Sequence, residues 1–444
     1  MRLALLALLF LVSIPTVSRP AGAVEAQRVV SASGLVAWFV PDPTIPVVAV
    51  EVSFAGGASY DPIGKEGLAA MATDLLTDGA GPYDAQAFAG RLEDASISLD
   101  LNAGSDFIRG GFRAPSSKAA EAFRLLGLAL TEPRFEAGDI ERVRQQRLSG
   151  LTREDRDPRT LASRAWYAVA YPEHPYGRPS RGTQKSIAAV TRDDLVVFAK
   201  TRIARDNLRI GVVGDIDVAT VARLLDETFG GLPATTVPAS VKSVPPAAAG
   251  DVLVIERPVP QSVVQFGQPG IARSDPDFMA AFLLNQIVGG GSLGSRLMTE
   301  IREKRGLTYG IYTYLATPKS SGLWMGSVSA DNTKVAEVVR LVREFWQRLK
   351  DEGVTAAELD DAKRYMTGSY ARGFATSRGI AGQLVGWQEE DLGIDYFQRR
   401  NALIEAVTLA DVNRVAKRLV EPDKMMFVVV GKPEGVKPTR ETPG

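Results

Sequence analysis

Residues 301–309 read I-R-E-K-R-G-L-T-Y and set a guanidinium, Arg302, seven positions ahead of a phenol, Tyr309. A fixed guanidinium and a phenol O–H are both suited to donate to an oxyanion as it develops. Taken alone, the spacing favours an exposed helix arginine paired with Glu303 or its neighbours and a strand tyrosine packed for area. Just upstream, Gly289, Gly290, Gly291, Ser292, Gly294 and Ser295 make a glycine-rich turn. Such turns ahead of a helix can cradle phosphate, but the Gly-Lys-Ser/Thr ending and the G-x-G-x-x-G spacing of nucleotide sites are both missing. Other reactive groups are scarce. There is no cysteine, which excludes thiolate nucleophiles, thiolate ligands and disulfides, and no G-x-S-x-G elbow. The single histidine, His174, lies between Pro172 and Pro175 with no nucleophile or acid beside it, and reads as a loop residue making local hydrogen bonds.

The elements that must position these groups occur twice. Residues 190–214 and 407–431 align without a gap at an offset of 217 residues. Each begins with a threonine N-cap, Thr191 or Thr408, with an aspartate three residues on, then an amphipathic helix and an apolar strand ending in glycine. Upstream, residues 135–141 and 354–360 match in the same order, each opening a long helical stretch. The chain therefore reads as an α/β (α+β sandwich) protein of two tandem homologous domains, residues 24–232 and 251–434. Between them, residues 233–250 are rich in Pro, Ala, Val and Ser and read as an extended linker, and residues 435–444 as a flexible tail. In the first half a strand is expected over 47–54, with a helix from Gly67. In the second half the order is a strand over 262–267, a helix over 276–288, the glycine turn, a helix to about Lys304 and a strand over 308–315.

With 444 residues the chain is long for one core and suits two. Apolar residues at 45% and charged residues at 23% are ordinary for a globular protein. Fifty-two basic residues balance fifty-two acidic ones, so no net field favours nucleic acid or an anionic membrane as partner. Arg2, the apolar run 3–14 and Ala21-Gly22-Ala23 mark residues 1–23 as a cleaved secretory signal peptide, with mature protein starting near Val24 or Gln27. The apolar run is about half the ~20 residues a spanning helix needs, so no stable membrane anchor is expected and an exported, periplasmic location is.

Three strings together resemble the pitrilysin/insulinase family of zinc metallopeptidases, which includes the mitochondrial processing peptidases. They are G-A-S-Y-D-P-I-G-K-E-G-L-A at 57–69, H-P-Y-G-R-P at 174–179 and the I-R-E-K-R-G-L-T-Y string, and the likeness covers essentially the whole mature chain. Active members continue the first string with His-x-x-Glu-His, two zinc-binding histidines on one helix face around a glutamate that activates water. Here those slots hold Ala70, Thr73 and Asp74, and the third ligand position, counted from Glu141, falls on Leu148. Asp74 offers one ligand where catalytic zinc needs three, so no metal is expected in this chain.

The resemblance implies a peptidase clam-shell half in which each domain is a mostly antiparallel sheet packed with helices. It also implies that Arg302 and Tyr309 reach toward a substrate carbonyl and that the glycine turn touches peptide. The expectation is a non-catalytic subunit of an exported heterodimeric zinc metallopeptidase, with zinc in a catalytic partner of the same family. A peptide-binding or scaffold protein without peptidase activity is the alternative.

Overall fold

The computed structural model describes residues 25–237, 241–291 and 293–442; the expected signal peptide and Ser292 lie outside the described residues. Six strands of the first half, β1 (Gln27–Val30), β2 (Val36–Pro41), β3 (Val47–Ala55), β4 (Ser98–Ala103), β5 (Phe107–Pro115) and β6 (Leu208–Gly214), form one sheet in the order β1-β2-β6-β3-β5-β4. Five strands of the second half, β7 (Val252–Glu256), β8 (Gln261–Pro269), β9 (Thr308–Ala316), β10 (Leu323–Asp331) and β11 (Met426–Gly431), form the other in the order β7-β11-β8-β10-β9. Dropping β1 leaves two identical topologies. In both, the last strand inserts beside the first as the only parallel pair among the described residues, β2 with β6 and β7 with β11, while the other pairings there are antiparallel. The duplication read from residues 190–214 and 407–431 is thus the repeated helix-to-inserted-strand step. The capping boxes at Thr191 and Thr408 are both present, each threonine accepting from its aspartate's N–H while the aspartate accepts in return.

One face of each sheet carries its own half's helices. On the first sheet the helices Leu68–Leu76, Ala119–Thr131 and Val218–Phe229 close a core around Phe112, Phe123 and Val50. On the second, Phe278–Gly289, Val335–Glu352 and Leu409–Leu419 close a core around Trp324, Trp346 and Phe427. The opposite faces are covered by exchange. The helix Pro158–Ala170 leaves the first half to pack on β8 and β11, burying Trp166 completely among Leu253, Met325 and Val428. The helix Ser377–Glu389 leaves the second half to pack on β3 and β6 around Leu384 and Trp387. Strand glycines make room for both. A Cβ on Gly267 would stand 2.9 Å from the Trp166 ring, and one on Gly211 would stand 2.5 Å from the Ala381 carbonyl. The two main cores are thus drawn from residues 29–232 and 252–429, and only the clusters on the opposite sheet faces mix the halves. Each apolar sheet has two faces to cover, and each half sends one helix across.

Residues 241–250 of the interdomain segment run without regular structure as a strap bonded to both halves. Val244 N donates to Ser320 O at 2.9 Å, Ala247 N to Ala170 O at 2.8 Å and Ser321 Oγ to Val244 O at 2.8 Å. The tail is likewise tied. Thr439 N donates to Val252 O at 2.9 Å, and Thr439 Oγ1 accepts from Val252 N at 2.9 Å, covering the open edge of β7.

Candidate functional site

The first half of the site starts at the helix Leu68–Leu76. Its N-terminal N–H groups find their acceptor at a distance in sequence: the Asp61 carboxylate accepts from Gly67 N at 3.0 Å and Ala69 N at 3.1 Å. Arg202 pairs with the same carboxylate at 2.8 Å. Burial raises the Asp61 carboxyl above its ordinary value, against the opposing pull of Arg202 and the two N–H groups. Arg178 donates to Asp61 O at 2.8 Å and Ser59 O at 3.2 Å, and Lys65 pairs with Asp194 at 2.6 Å. The lead-in string is a scaffold that fixes this helix in place.

The helix presents nothing that could hold or activate a metal-bound water. Ala70 is buried, and the Thr73 hydroxyl bonds back to Ala69 O at 3.1 Å and Ala70 O at 3.0 Å. Asp74 is committed to Arg147 at 2.7 Å. Arg147 comes from the helix Ala137–Glu154, one residue before Leu148, and also donates to the Ala70 carbonyl. A guanidinium thus bridges the two slots at which the resembled peptidases carry histidines. Burial pushes the Asp74 carboxyl up and the Arg147 guanidinium down, the pair's attraction opposing both shifts. Among the described residues no group of three His, Cys, Asp or Glu could hold a metal ion. His174 also has a structural task. Its Nδ1 accepts from Tyr176 N at 3.2 Å, its Nε2 lies 2.8 Å from Lys242 O on the interdomain strap, and its ring packs 4.7 Å from Tyr176.

The second half-site is built differently. The helix Phe278–Gly289 ends in the glycine turn, and the chain rewinds as a π-helical turn, Met298–Glu303, rather than a regular helix to Lys304. Ile301 and Leu307 are buried, and Glu300 gathers Arg305 at 2.8 Å and Lys304 at 3.2 Å. The Arg302 guanidinium has no hydrogen bond or ion pair among the described residues, and it does not pair with Glu303. Tyr309 stands 90% exposed on β9, the edge strand of its sheet. The β9–β10 register shifts between Val328 and Ala330, where Ile311 and Thr308 are the partners. This bulge turns Tyr309 to the face of Tyr312 and Tyr314, whose rings stack 6.3 Å apart.

Within the glycine turn the residues differ in environment. A Cβ on Gly289 would stand 2.6 Å from Thr313 Oγ1, so this glycine is required for packing on β9. Gly291, with φ of 87°, and Gly294 face open space, and Leu293 is largely exposed. Gly290 packs back on Gln286, and Ser295 is buried with its hydroxyl unpartnered. Arg296 anchors the far end, bidentate to Glu358 at 2.5 and 2.7 Å. No hydrogen bond or ion pair joins Arg302 or Tyr309 to Ala70, Thr73, Asp74 or Leu148 among the described residues. Sequence reasoning missed Arg147. Its one signal was a cation beside the counted ligand position.

The sequence pattern described as peptidase M16 inactive domain matches residues 189–366. A crystal structure of a peptidase M16 inactive domain from Pseudomonas fluorescens superposes with a TM-score of 0.87 at 30% identity, covering 94% of this chain and 100% of that one. The chain belongs to the peptidase M16 family. The family resemblance read from the three strings is met, and so is the sandwich of helices on two antiparallel-rich sheets. Among curated relatives of this M16 chain, the "non-peptidase homolog YmxG" of Helicobacter pylori is 26% identical over 394 residues, spanning 87% of this chain and 89% of its own. The "probable mitochondrial-processing peptidase subunit beta" of Schizosaccharomyces pombe is 24% identical over 78% of each chain. The chain is a non-catalytic member of the M16 family.

Proposed function

We propose that this M16 chain serves as the non-catalytic subunit of an exported heterodimeric zinc peptidase, helping to bind peptide and completing an active site whose zinc belongs to a catalytic partner. The observation that carries the reading is the contrast between the two half-sites. In the first, every position that could serve a metal is occupied by internal bonds of Ala70, Thr73, Asp74 and Arg147. In the second, Arg302 and Tyr309 are held on an anchored turn and an edge strand, with no partner for either polar group among the described residues. A guanidinium and a phenol so placed suit an oxyanion supplied from outside the chain. A cleft of about 670 Å³ that includes Tyr167, Tyr176, Arg159 and, from the second half, Pro318 gives a peptide room beside the emptied site. Export rests on residues 1–23, and the zinc would be the partner's alone.

Capture of the native protein from its own envelope fraction, followed by mass spectrometry, is the first test. It should recover a protein of similar size carrying an intact His-x-x-Glu-His. Reconstitution of that pair should give zinc-dependent peptide cleavage that neither chain shows alone. Cleavage by the partner at full rate in the absence of this chain would overturn the proposal.

A further inference from the structure

At the C-terminal end of the exchanged helix Ser377–Glu389, away from the half-sites, a cavity of about 680 Å³ opens beneath the β1–β2 turn. Its size lies within the range of small-molecule pockets. Its walls include two indoles, Trp38 on β2 and Trp387 on the exchanged helix, and two arginines, Arg205 and Arg209, on either side of the start of β6. Neither arginine has a carboxylate partner among the described residues. Arg209 donates only to the carbonyl of its neighbour Leu208, at 3.2 Å. The Arg205 Nε is buried and has no hydrogen-bond partner.

Arg257 likewise donates to its neighbour's carbonyl and the Arg147 Nε is likewise buried and unpartnered, whereas other arginines are fully engaged. Arg202, three residues earlier, is saturated by Asp61 and by the carbonyls of Gly56, Gly57 and Tyr60. Arg144, Arg178 and Arg296 are likewise held by carbonyls or carboxylates. Two aspartates do reach the cavity, but both are exposed, and the Asp206 carboxylate accepts instead from Thr236 N and Oγ1. Arg205 and Arg209 are both partly exposed residues at the cavity wall, so guanidinium N–H groups there can be met by an acceptor that enters the cavity.

We infer that this cavity is a binding site for an organic carboxylate with an aromatic or apolar body: the carboxylate is received by Arg205 and Arg209, the body lies against Trp38 and Trp387, and the ligand is either a free acid or the C-terminus of a peptide. Guanidinium forks match carboxylate geometry, and indole faces suit a flat apolar body. The inference goes beyond the proposed peptidase role and does not depend on it.

Isothermal titration calorimetry on the full mature chain tests it, with four probes: N-acetyl-phenylalanine, its amide, the tripeptide Ala-Ala-Phe, and Ala-Ala-Phe amide. Both acids should bind saturably, and each amide should bind at least about tenfold more weakly, the scale of one lost charge-assisted hydrogen bond. A tripeptide that binds more tightly than the single amino-acid derivative identifies a peptide C-terminus as the ligand; equal affinity identifies a free acid. Arg205→Gln and Arg209→Gln should each weaken the acids about tenfold with an unchanged circular dichroism spectrum. Should either substitution unfold the chain, Trp38→Leu on the neighbouring strand β2 takes its place and should weaken both acids. Amides that bind as well as acids, no saturable binding of either acid, or unchanged affinity in folded variants would overturn the assignment.

Discussion

Breaking the Asp74–Arg147 pair one partner at a time should give unequal costs. Arg147 is the deeper member, with 14% of its side chain exposed against 44% for Asp74. Asp74→Ala strands an interior guanidinium. Removing one partner of a buried pair costs about 3–5 kcal/mol, and because the Ala70 carbonyl still accepts from Arg147, about 2–3 kcal/mol is expected here. Arg147→Met keeps the volume filled and lets Asp74 turn to water, so the cost should stay below about 1 kcal/mol. The double variant loses both charges and should cost about as little as Arg147→Met, leaving a coupling of about 2–3 kcal/mol in the cycle. Urea unfolding read by the midpoint at constant slope measures all three. Equal costs for the two single variants, or a strictly additive double, would refute the view that a buried cation has replaced a metal between these helices. The pH dependence has a definite sign. Burial raises the Asp74 carboxyl, so the folded state binds this proton more tightly than the unfolded chain does. Its contribution to stability therefore falls as pH rises from the ordinary carboxylate range through the raised value. Arg147→Met lets Asp74 turn to water and so relieves the burial that raises its carboxyl, and the fall should flatten.

At the glycine turn, burial alone would push the Glu358 carboxyl up, but hydrogen bonds from Arg296 and Thr355 override it and hold it at about 2. A lowered carboxyl gives stability that is present above the unfolded value near 4.5 and is lost as pH falls from there toward 2. The thermal-stability gap between the parent and Glu358→Gln should therefore be widest at neutral pH and shrink across that window. On the exchanged helix, Glu389 is fully buried and accepts from Ser53 Oγ at 2.5 Å and Arg109 Nε at 2.7 Å, while Arg109 is 52% exposed. Arg109→Ala, which strands the buried carboxylate, should cost about 3 kcal/mol or more, and Glu389→Gln only about 1–2 kcal/mol, both read by denaturant unfolding. Tyr309→Phe should leave the isolated chain's stability within about 0.5 kcal/mol of the parent. The same change in a reconstituted complex should lower turnover by about 10²–10³-fold, and unchanged turnover would remove the oxyanion role.

Much of the fold was legible because repetition and capping are local signals. Thr191 with Asp194 and Thr408 with Asp411 announce their helices within four residues, and the apolar strands that follow end where the glycine says they do. The exchange of helices was not legible. Trp166 and Leu384 mark apolar faces without saying whose sheet they cover, and the strand glycines that receive them, Gly267 and Gly211, look like any interruption of an apolar run. The site divided in the same way. Counting ligand slots located Ala70, Thr73, Asp74 and Leu148, but only packing reveals that Arg147, beside the last of these, turns back to Asp74. Alternation along residues 308–315 would set Tyr309 with Ile311, and the bulge in the β9–β10 register reverses that. A bulge depends on the partner strand, which a single segment does not encode.

The strings that survive around an emptied metal site can be sorted by whether the fold itself needs them. Asp61 caps the helix and holds Arg202, Lys65 binds Asp194, Arg178 clasps two carbonyls of the lead-in, and His174 pins the strap. Each would be retained by a chain selected only to fold, so their presence argues for architecture and not for catalysis. The second string divides internally. Ile301 and Leu307 fill the core, and Glu300 organises its neighbouring cations. Arg302 and Tyr309 do neither, because one guanidinium has no partner among the described residues and one phenol ring is almost wholly in water. A half-site with no internal reason for its two polar groups is where a partner's substrate would be met, and that asymmetry, rather than the likeness of the strings themselves, is what supports reading the chain as one half of a peptidase.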